Sequence, residues 1–303
     1  MNPSLSRVCM LTASLTLAAG AAQAATIHRQ VPAAPRGEVH ISNIAGSILV
    51  RGWNKPTVAA SAAMTDPRQR LVVEAHSGRT TVCVTNGATH CSWWSSSGRS
   101  HRAQLTVYVP QDSEVDVSGV SAGITSRGVA GVQHLNSVSG GIDATLLTGD
   151  DVVKSVTGNI ELQGNRTSGR LRVATVSGDM RLANIAGTLD VRTVNGALEA
   201  DIVSARRVRL HSTSGGITLH AQLLRGGIVK SDSVSGSQRI TVSAPTGYAY
   251  AAESFSGHLE NCFGQAVVHN RYGPGSRMDG TRGAGEGRVR IGSLSGNVSL
   301  CDH

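Results

Sequence analysis

Three pairs of arginines spaced two residues apart stand out in this 303-residue chain as candidate ligand-binding groups: Arg170 and Arg172, Arg207 and Arg209, Arg288 and Arg290. On an extended strand, residues i and i+2 point to one face, so each pair presents two guanidinium forks side by side. Such forks bind carboxylate or phosphate bidentately. The formal net charge of +8 adds a general attraction for anionic polymers or surfaces. An acidic polysaccharide, a lipopolysaccharide or a teichoic-type polymer fits this chemistry, and another protein of the cell envelope is a second kind of partner. Nucleic acid is a poor match, because no stacking aromatics interleave with the arginines.

Other reactive side chains are dispersed. Carboxylates recur about once per twenty residues instead of clustering, and Asp150-Asp151, the only adjacent pair among them, reads as a turn. The histidines show no triad or facial metal spacing, and no GxSxG, P-loop or HExxH motif occurs. The chain therefore reads as non-enzymatic, with no cofactor and no metal. A polysaccharide-active β-helix enzyme, lyase or hydrolase, and a purely structural envelope component remain the alternatives. Trp93-Trp94 is an aromatic patch suited to stacking on a sugar if exposed, or to plugging an apolar end if buried.

These side chains ride on a repeat. Eight tetrads follow one pattern of hydroxyl, apolar residue, small polar residue and glycine, with Thr213 the one departure, among them Ser155-Val156-Thr157-Gly158, Thr175-Val176-Ser177-Gly178 and Ser293-Leu294-Ser295-Gly296. Their glycines lie 18, 20, 18, 19, 21, 21 and 39 residues apart. A fixed period near twenty implies stacked units, each burying its apolar face on the next. The expectation is an all-β fold: a single-stranded β-solenoid of about 18–21 residues per coil, with an irregular β-rich N-terminal cap.

Relative to each glycine, apolar residues recur at −2, +2 and +4, as in Val156, Ile160 and Leu162. Even offsets on a strand share a face, so all three, with the glycine, are expected inside, the glycine where a side chain would strike the opposite wall. Residues at −3 and −1 would then form two outward hydroxyl columns. A fainter set of glycines (Gly169, Gly187, Gly287) lies nine residues earlier, giving two half-turns per coil. Nine is odd, so one residue per half-turn must break the alternation at a bend or bulge. The outward residues of the faint half-turn are the arginine pairs. Those of the other half-turn are mostly acidic: Asp143, Glu161, Asp179 and Glu199. Arg206 takes the place of a faint-set glycine and must reach solvent.

Residues 1–24 have the features of an export signal: a charged start, an apolar run and Ala22-Gln23-Ala24 before the cut. No later segment is long and apolar enough for a transmembrane helix. The rest divides into a cap, 25–118, and the repeats, 119–303, with a loop insertion at about 262–286. Four cysteines follow the signal, and export favours disulfides. Cys83 and Cys91 flank the turn signal Asn86-Gly87, while Cys262 and Cys301 each stand five residues after a motif glycine, in bonding range if their coils are adjacent.

Three segments carry a family likeness: Asn43-Ile44-Ala45-Gly46-Ser47-Ile48 running into Arg51-Gly52-Trp53, Leu105-Thr106-Val107-Tyr108-Val109-Pro110, and the stretch from Arg288 to Val298. With the repeat, they resemble the exported putative-adhesin family of β-strand-repeat proteins, a group of unknown molecular function. The resemblance implies a β-solenoid at the cell envelope, periplasmic or at the surface, and supplies no catalytic residue.

Overall fold

The computed structural model describes residues 25–91, 102–146, 150–166, 169–271 and 274–302, and among them every element is a β-strand. The N-terminal region holds β1 (Ala25–Pro32), β2 (Glu38–Trp53), β3 (Thr57–Met64), β4 (Gln69–His76), β5 (Arg79–Asn86) and β6 (Ala103–Pro110). The repeats follow as β7 (Glu114–Arg127), β8 (Gln133–Ser137), β9 (Ile142–Leu146), β10 (Asp150–Ser155), β11 (Ile160–Gly164), β12 (Gly169–Thr175), β13 (Met180–Thr193), β14 (Leu198–Ser212) and β15 (Ile217–Ser233). The C-terminal region adds β16 (Gln238–Ser243), β17 (Gly247–Ser254), β18 (Leu259–Asn261), β19 (Val268–His269), β20 (Ser276–Gly283), β21 (Gly287–Ser293) and β22 (Val298–Asp302).

The repeat strands pair in parallel, each with its counterpart one period away. Gly169 to Thr175 runs beside Gly187 to Thr193, and Met180 to Leu182 beside Leu198 to Ala200. Two walls result. The first comprises β8, β10, β12, the second halves of β13, β14 and β15, and then β21 and β17. The second comprises β9, β11, the first halves of β13 to β15, and then β16, β22 and β18. Inward residues of both walls, such as Ile160 and Leu162 on one and Leu171 and Val173 on the other, belong to one continuous aliphatic core. Val, Ile and Leu at alternate positions bury the inner face of each wall and leave its outer face to solvent.

The corner between the walls corrects the expected phase. The hydroxyl at −3 points inward: Ser155 is 6% exposed and Thr175 5%. The apolar residue at −2 points outward, with Val138 at 47%, Val176 at 44% and Phe255 at 54%. The chain bends through −2 and −1, so two successive residues face solvent and the alternation resets; this is the break that an odd half-turn requires. The −3 hydroxyl then turns back on the glycine, whose N–H donates to Ser155 Oγ at 2.9 Å in one rung and to Thr175 Oγ1 at 3.1 Å in the next. Of the two expected outward polar columns only the −1 column is outward, with Ser139, Thr157 and Ser177 exposed.

The motif glycine is inward as expected, for a different reason. A Cβ at Gly158 would lie well under 3.0 Å from the carbonyl of Gly140, and one at Gly178 equally close to that of Gly158. The neighbouring rung, not the opposite wall, excludes a side chain. Arg206 reaches solvent at a bulge: the register passes from Gly187–Ala205 to Thr188–Arg207, so Ala205 takes the inward slot.

Regular stacking extends beyond residues 119–303. β2 spans both walls and runs parallel to β7 from Glu38–Glu114 to Arg51–Arg127, a full rung inside the segment expected to be irregular. On its other side β2 pairs with β5 and β6, so β2 lies between rungs that follow it in the chain. Antiparallel β1, β3 and β4 complete that end. At the other end, β21 lies between β15 and β17, and β22 between β16 and β18. The segment at 262–286 is not simply a loop. Its β20 pairs antiparallel with β17 from Gly247–Gly283 to Ser254–Ser276 and covers the edge of the outermost rung. An uncovered parallel edge would invite pairing with another chain.

Candidate functional site

The first wall carries the arginine pairs. All six side chains are exposed, and the registers bring them into two columns across consecutive rungs. One column reads Arg172, Asp190, Arg209, Lys230, Arg290, and the other Arg170, Thr188, Arg207, Ile228, Arg288. Adjacent strands lie about 4.8 Å apart, so the first column places four cations within about 20 Å. Lys230 escaped the arginine count in the sequence, although Gly227, nine residues before Gly236, puts it at the same offset. Arg192 faces outward two residues further along its strand.

Part of this charge is compensated. Arg170 lies 3.6 Å from Asp150, Arg192 3.1 Å from Asp190, and Lys230 2.9 Å from Asp232. Exposed pairs of this kind contribute little. Among the described residues no ion pair engages Arg172, Arg207, Arg209, Arg288 or Arg290. Asp190, the one carboxylate within the column, turns along its own strand to Arg192. Five guanidiniums are thus free for an external anion.

The second wall is mildly acidic and largely self-paired. Asp143, Glu161, Arg181 and Glu199 stand in register, one per rung, along a shallow depression of about 580 Å³. Arg127 is paired with Asp143, and Arg181 with Glu199 at 2.7 Å. The bond to Glu199 holds the Arg181 guanidinium above its ordinary pKa. Asn159 and Asp179 serve the backbone: their carboxamide and carboxylate oxygens accept from the N–H of Asp179 and Ala197, at 3.1 and 2.8 Å. No three His, Cys, Asp or Glu side chains gather to hold a metal among the described residues.

Asp151 is not a turn residue. It lies on β10 at 4% exposure, pointing inward. Burial raises its pKa to about 6, against the opposing effect of the Gln133 N–H, which donates to it at 2.9 Å. Its neighbour Asp150 faces outward. Cys83 and Cys91 form a disulfide with Cα atoms 5.9 Å apart, and Cys262 and Cys301 another at 4.9 Å. The second joins Cys262, just past the end of β18, to Cys301 on β22, in adjacent rungs. Trp93, Trp94 and the export signal at 1–24 lie outside the described residues. No described helix is long and apolar enough to cross a membrane.

A two-walled parallel stack with capped ends and a cationic outer face defines the class. The Toastrack DUF4097 family model matches residues 54–301, and the chain belongs to that family. No curated protein matches the chain. Among solved structures, it is similar to a putative lipid binding protein from Parabacteroides distasonis ATCC 8503, with 14% identity, 92% of this chain and 96% of that one covered, and a TM-score of 0.43. A putative adhesin from Bacteroides fragilis NCTC 9343 shows 11% identity, 91% and 97% coverage and a TM-score of 0.32. A putative cell adhesion protein from Clostridium sporogenes ATCC 15579 shows 8% identity, 92% and 100% coverage and a TM-score of 0.20. Likeness at this level says nothing about what this chain binds.

Proposed function

We propose that this protein is an exported, non-enzymatic binding scaffold of the cell envelope or cell surface, a rigid β-solenoid whose arginine wall holds an anionic polymer such as an acidic glycan. The observation that carries this reading is the set of five exposed arginines, Arg172, Arg207, Arg209, Arg288 and Arg290, without a carboxylate partner. Their spacing is fixed by the rungs, so a linear polymer with regularly placed carboxylates or phosphates meets a pre-organised row of forks. Little side-chain ordering is then needed beyond the arginines themselves. The two disulfides fit an oxidising compartment.

An enzymatic role finds less support. The outward carboxylates of the second wall are spread along its rungs, and Asp143 and Glu199 are already paired with arginines, so no two free ones form an obvious acid and base facing a common point. The reading is tested by replacing Arg172, Arg207 and Arg209 with glutamate and measuring retention on an immobilised acidic polysaccharide at low salt. Loss of retention is expected, with wild-type binding falling steeply as salt rises. Unchanged retention would overturn it. Release of unsaturated products from uronate polymers would establish the enzymatic alternative instead.

A further inference from the structure

The corner position two residues before each motif glycine forms a column that none of the features above uses. It runs through nine rungs, from Val120, where Ala122 stands in for the glycine, to Phe255, and its members are apolar except Thr213. The exposures of the apolar members range from 39% at Val234 to 54% at Phe255. At about 4.8 Å per rung, the ridge is about 38 Å long.

The backbone does not require apolar side chains here. The corner is tied rung to rung by main-chain bonds, Ser139 N–H to the carbonyl of Val120 at 2.8 Å and Thr157 N–H to that of Val138 at 2.9 Å. Thr213 takes its place in the same ladder, its carbonyl accepting from the Ser235 N–H at 2.9 Å. A hydroxyl is therefore tolerated at this position, yet the other eight are apolar. A long contiguous apolar strip on a surface marks a docking site.

Its flanks decide what docks. Towards the first wall, the ridge is bordered by Lys154 and Arg192 two residues away and by Arg172, Arg209, Lys230 and Arg290 four residues away, a cationic excess over Asp190, Asp232 and Glu253 at the same offsets. Towards the second wall it is bordered by Asp179, then by Asp143, Glu161, Glu199 and Glu260, an acidic excess over Arg181 and Arg239 at that offset. The strip thus divides a cationic face from an acidic one. A second copy of this chain is a poor occupant: a file one side chain wide falls short of the roughly 800 Å² per partner that a stable interface buries. An apolar edge with cations along one side matches the interface of an anionic bilayer, where acyl chains meet negatively charged headgroups.

We propose that the ridge and the arginine wall together seat the protein on an anionic lipid surface. The ridge side chains enter the boundary between headgroups and acyl chains, the guanidiniums meet headgroup phosphates, and the acidic wall turns away. This rests on the reading that the arginine wall holds anions, and it specifies the form in which they are presented.

The test uses the mature chain and vesicles of phosphatidylcholine with or without phosphatidylglycerol, read by co-sedimentation. Wild type is expected to partition onto the anionic vesicles and not onto phosphatidylcholine alone. The triple variant Val156→Thr, Val176→Thr, Val194→Thr uses a residue the column already accepts at position 213, so it retains the fold. It is expected to lose about tenfold in vesicle partition while keeping its retention on immobilised acidic polysaccharide. The variant Arg172→Gln, Arg207→Gln, Arg209→Gln is expected to lose both. Wild type that ignores anionic vesicles, or a valine variant that binds them undiminished, would overturn the lipid proposal. So would a wild-type dimer that the valine variant dissolves, because the ridge would then belong to a second copy. Failure of the arginine-wall reading is seen separately, as polysaccharide retention that survives the arginine variant.

Discussion

Leu294 donates its N–H to the carbonyl of Ser233 at 3.1 Å, although the motif residue between them in the chain, Phe255, bonds to Ser293 at 3.0 Å on the far side. The last coil of the chain is therefore the second-to-last rung of the stack. The same inversion occurs at the other end, where β2 lies between β7 and the later strands β5 and β6. Both ends place an early or late strand between two rungs and give the outermost position to a segment with an antiparallel partner. Antiparallel partners cover β5 and β6 at the first end and β17 at the second, while β18, the short outermost strand of the second wall, pairs among the described residues only with β22.

The disulfide between Cys262 and Cys301 clamps that inserted coil. It spans 39 residues, against 8 for Cys83–Cys91. On the loop-entropy relation it stabilises by about 4 kcal/mol, and the shorter bridge by about 2.5 kcal/mol. Cys262→Ser with Cys301→Ser should therefore lower the denaturation midpoint more than Cys83→Ser with Cys91→Ser, in urea titrations followed by circular dichroism. Equal losses would show that the inserted coil is held by its strands alone.

The stacked glycines give a paired comparison. Gly178→Ala drives a methyl into the carbonyl of Gly158 and forces two rungs apart, with an expected loss of about 3 kcal/mol. At the adjacent column, Gly141→Ala meets only the Asn159 carbonyl at 3.5 Å, an ordinary contact. That change should stay within about 0.5 kcal/mol of wild type. Chemical denaturation of the two variants distinguishes contact between rungs from a general intolerance of side chains at glycines.

Thr175 and Val176 are neighbours with opposite roles. Thr175→Val keeps the shape of the side chain but leaves the Gly178 N–H buried without its acceptor, at a cost of about 1–3 kcal/mol. Val176→Thr adds a hydroxyl at a position 44% exposed and should be nearly neutral. Thermal melts of both measure the effect directly. The reverse order of stability would contradict the inward hydroxyl.

Asp151 makes stability depend on pH. Its pKa in the folded chain, about 6, lies above the ordinary value of 3.8, because burial disfavours the carboxylate. The folded state holds the proton more tightly, so this contribution is fully present below about pH 4 and is lost as pH rises through 6. The shift corresponds to at most about 3 kcal/mol. Asp151→Asn removes the charge and keeps an oxygen for the Gln133 N–H. It should be more stable than wild type at pH 7 and flatten the stability profile between pH 4 and 7.

Much of the architecture was legible in the residues. The period of the Ser-Val-Ser-Gly tetrads fixes stacked rungs, because only repeating units that bury their faces on one another keep a constant spacing. The +2 and +4 positions, Ile160 and Leu162 among them, mark the core by plain alternation. The outward arginines follow from the same rule, and so does Lys230 once Gly227 is counted.

What alternation could not reach was the corner. Period-two reasoning holds only while the chain stays extended, and at the bend two residues in succession face solvent. That step exchanged the roles of Thr175 and Val176, turning an expected hydroxyl column into a buried cap and an expected core column into an exposed ridge. The order of the terminal rungs was equally out of reach. Pairing between Ser233 and Leu294 depends on which edge remains open when the last coil arrives, a property of the assembled stack that no local pattern encodes.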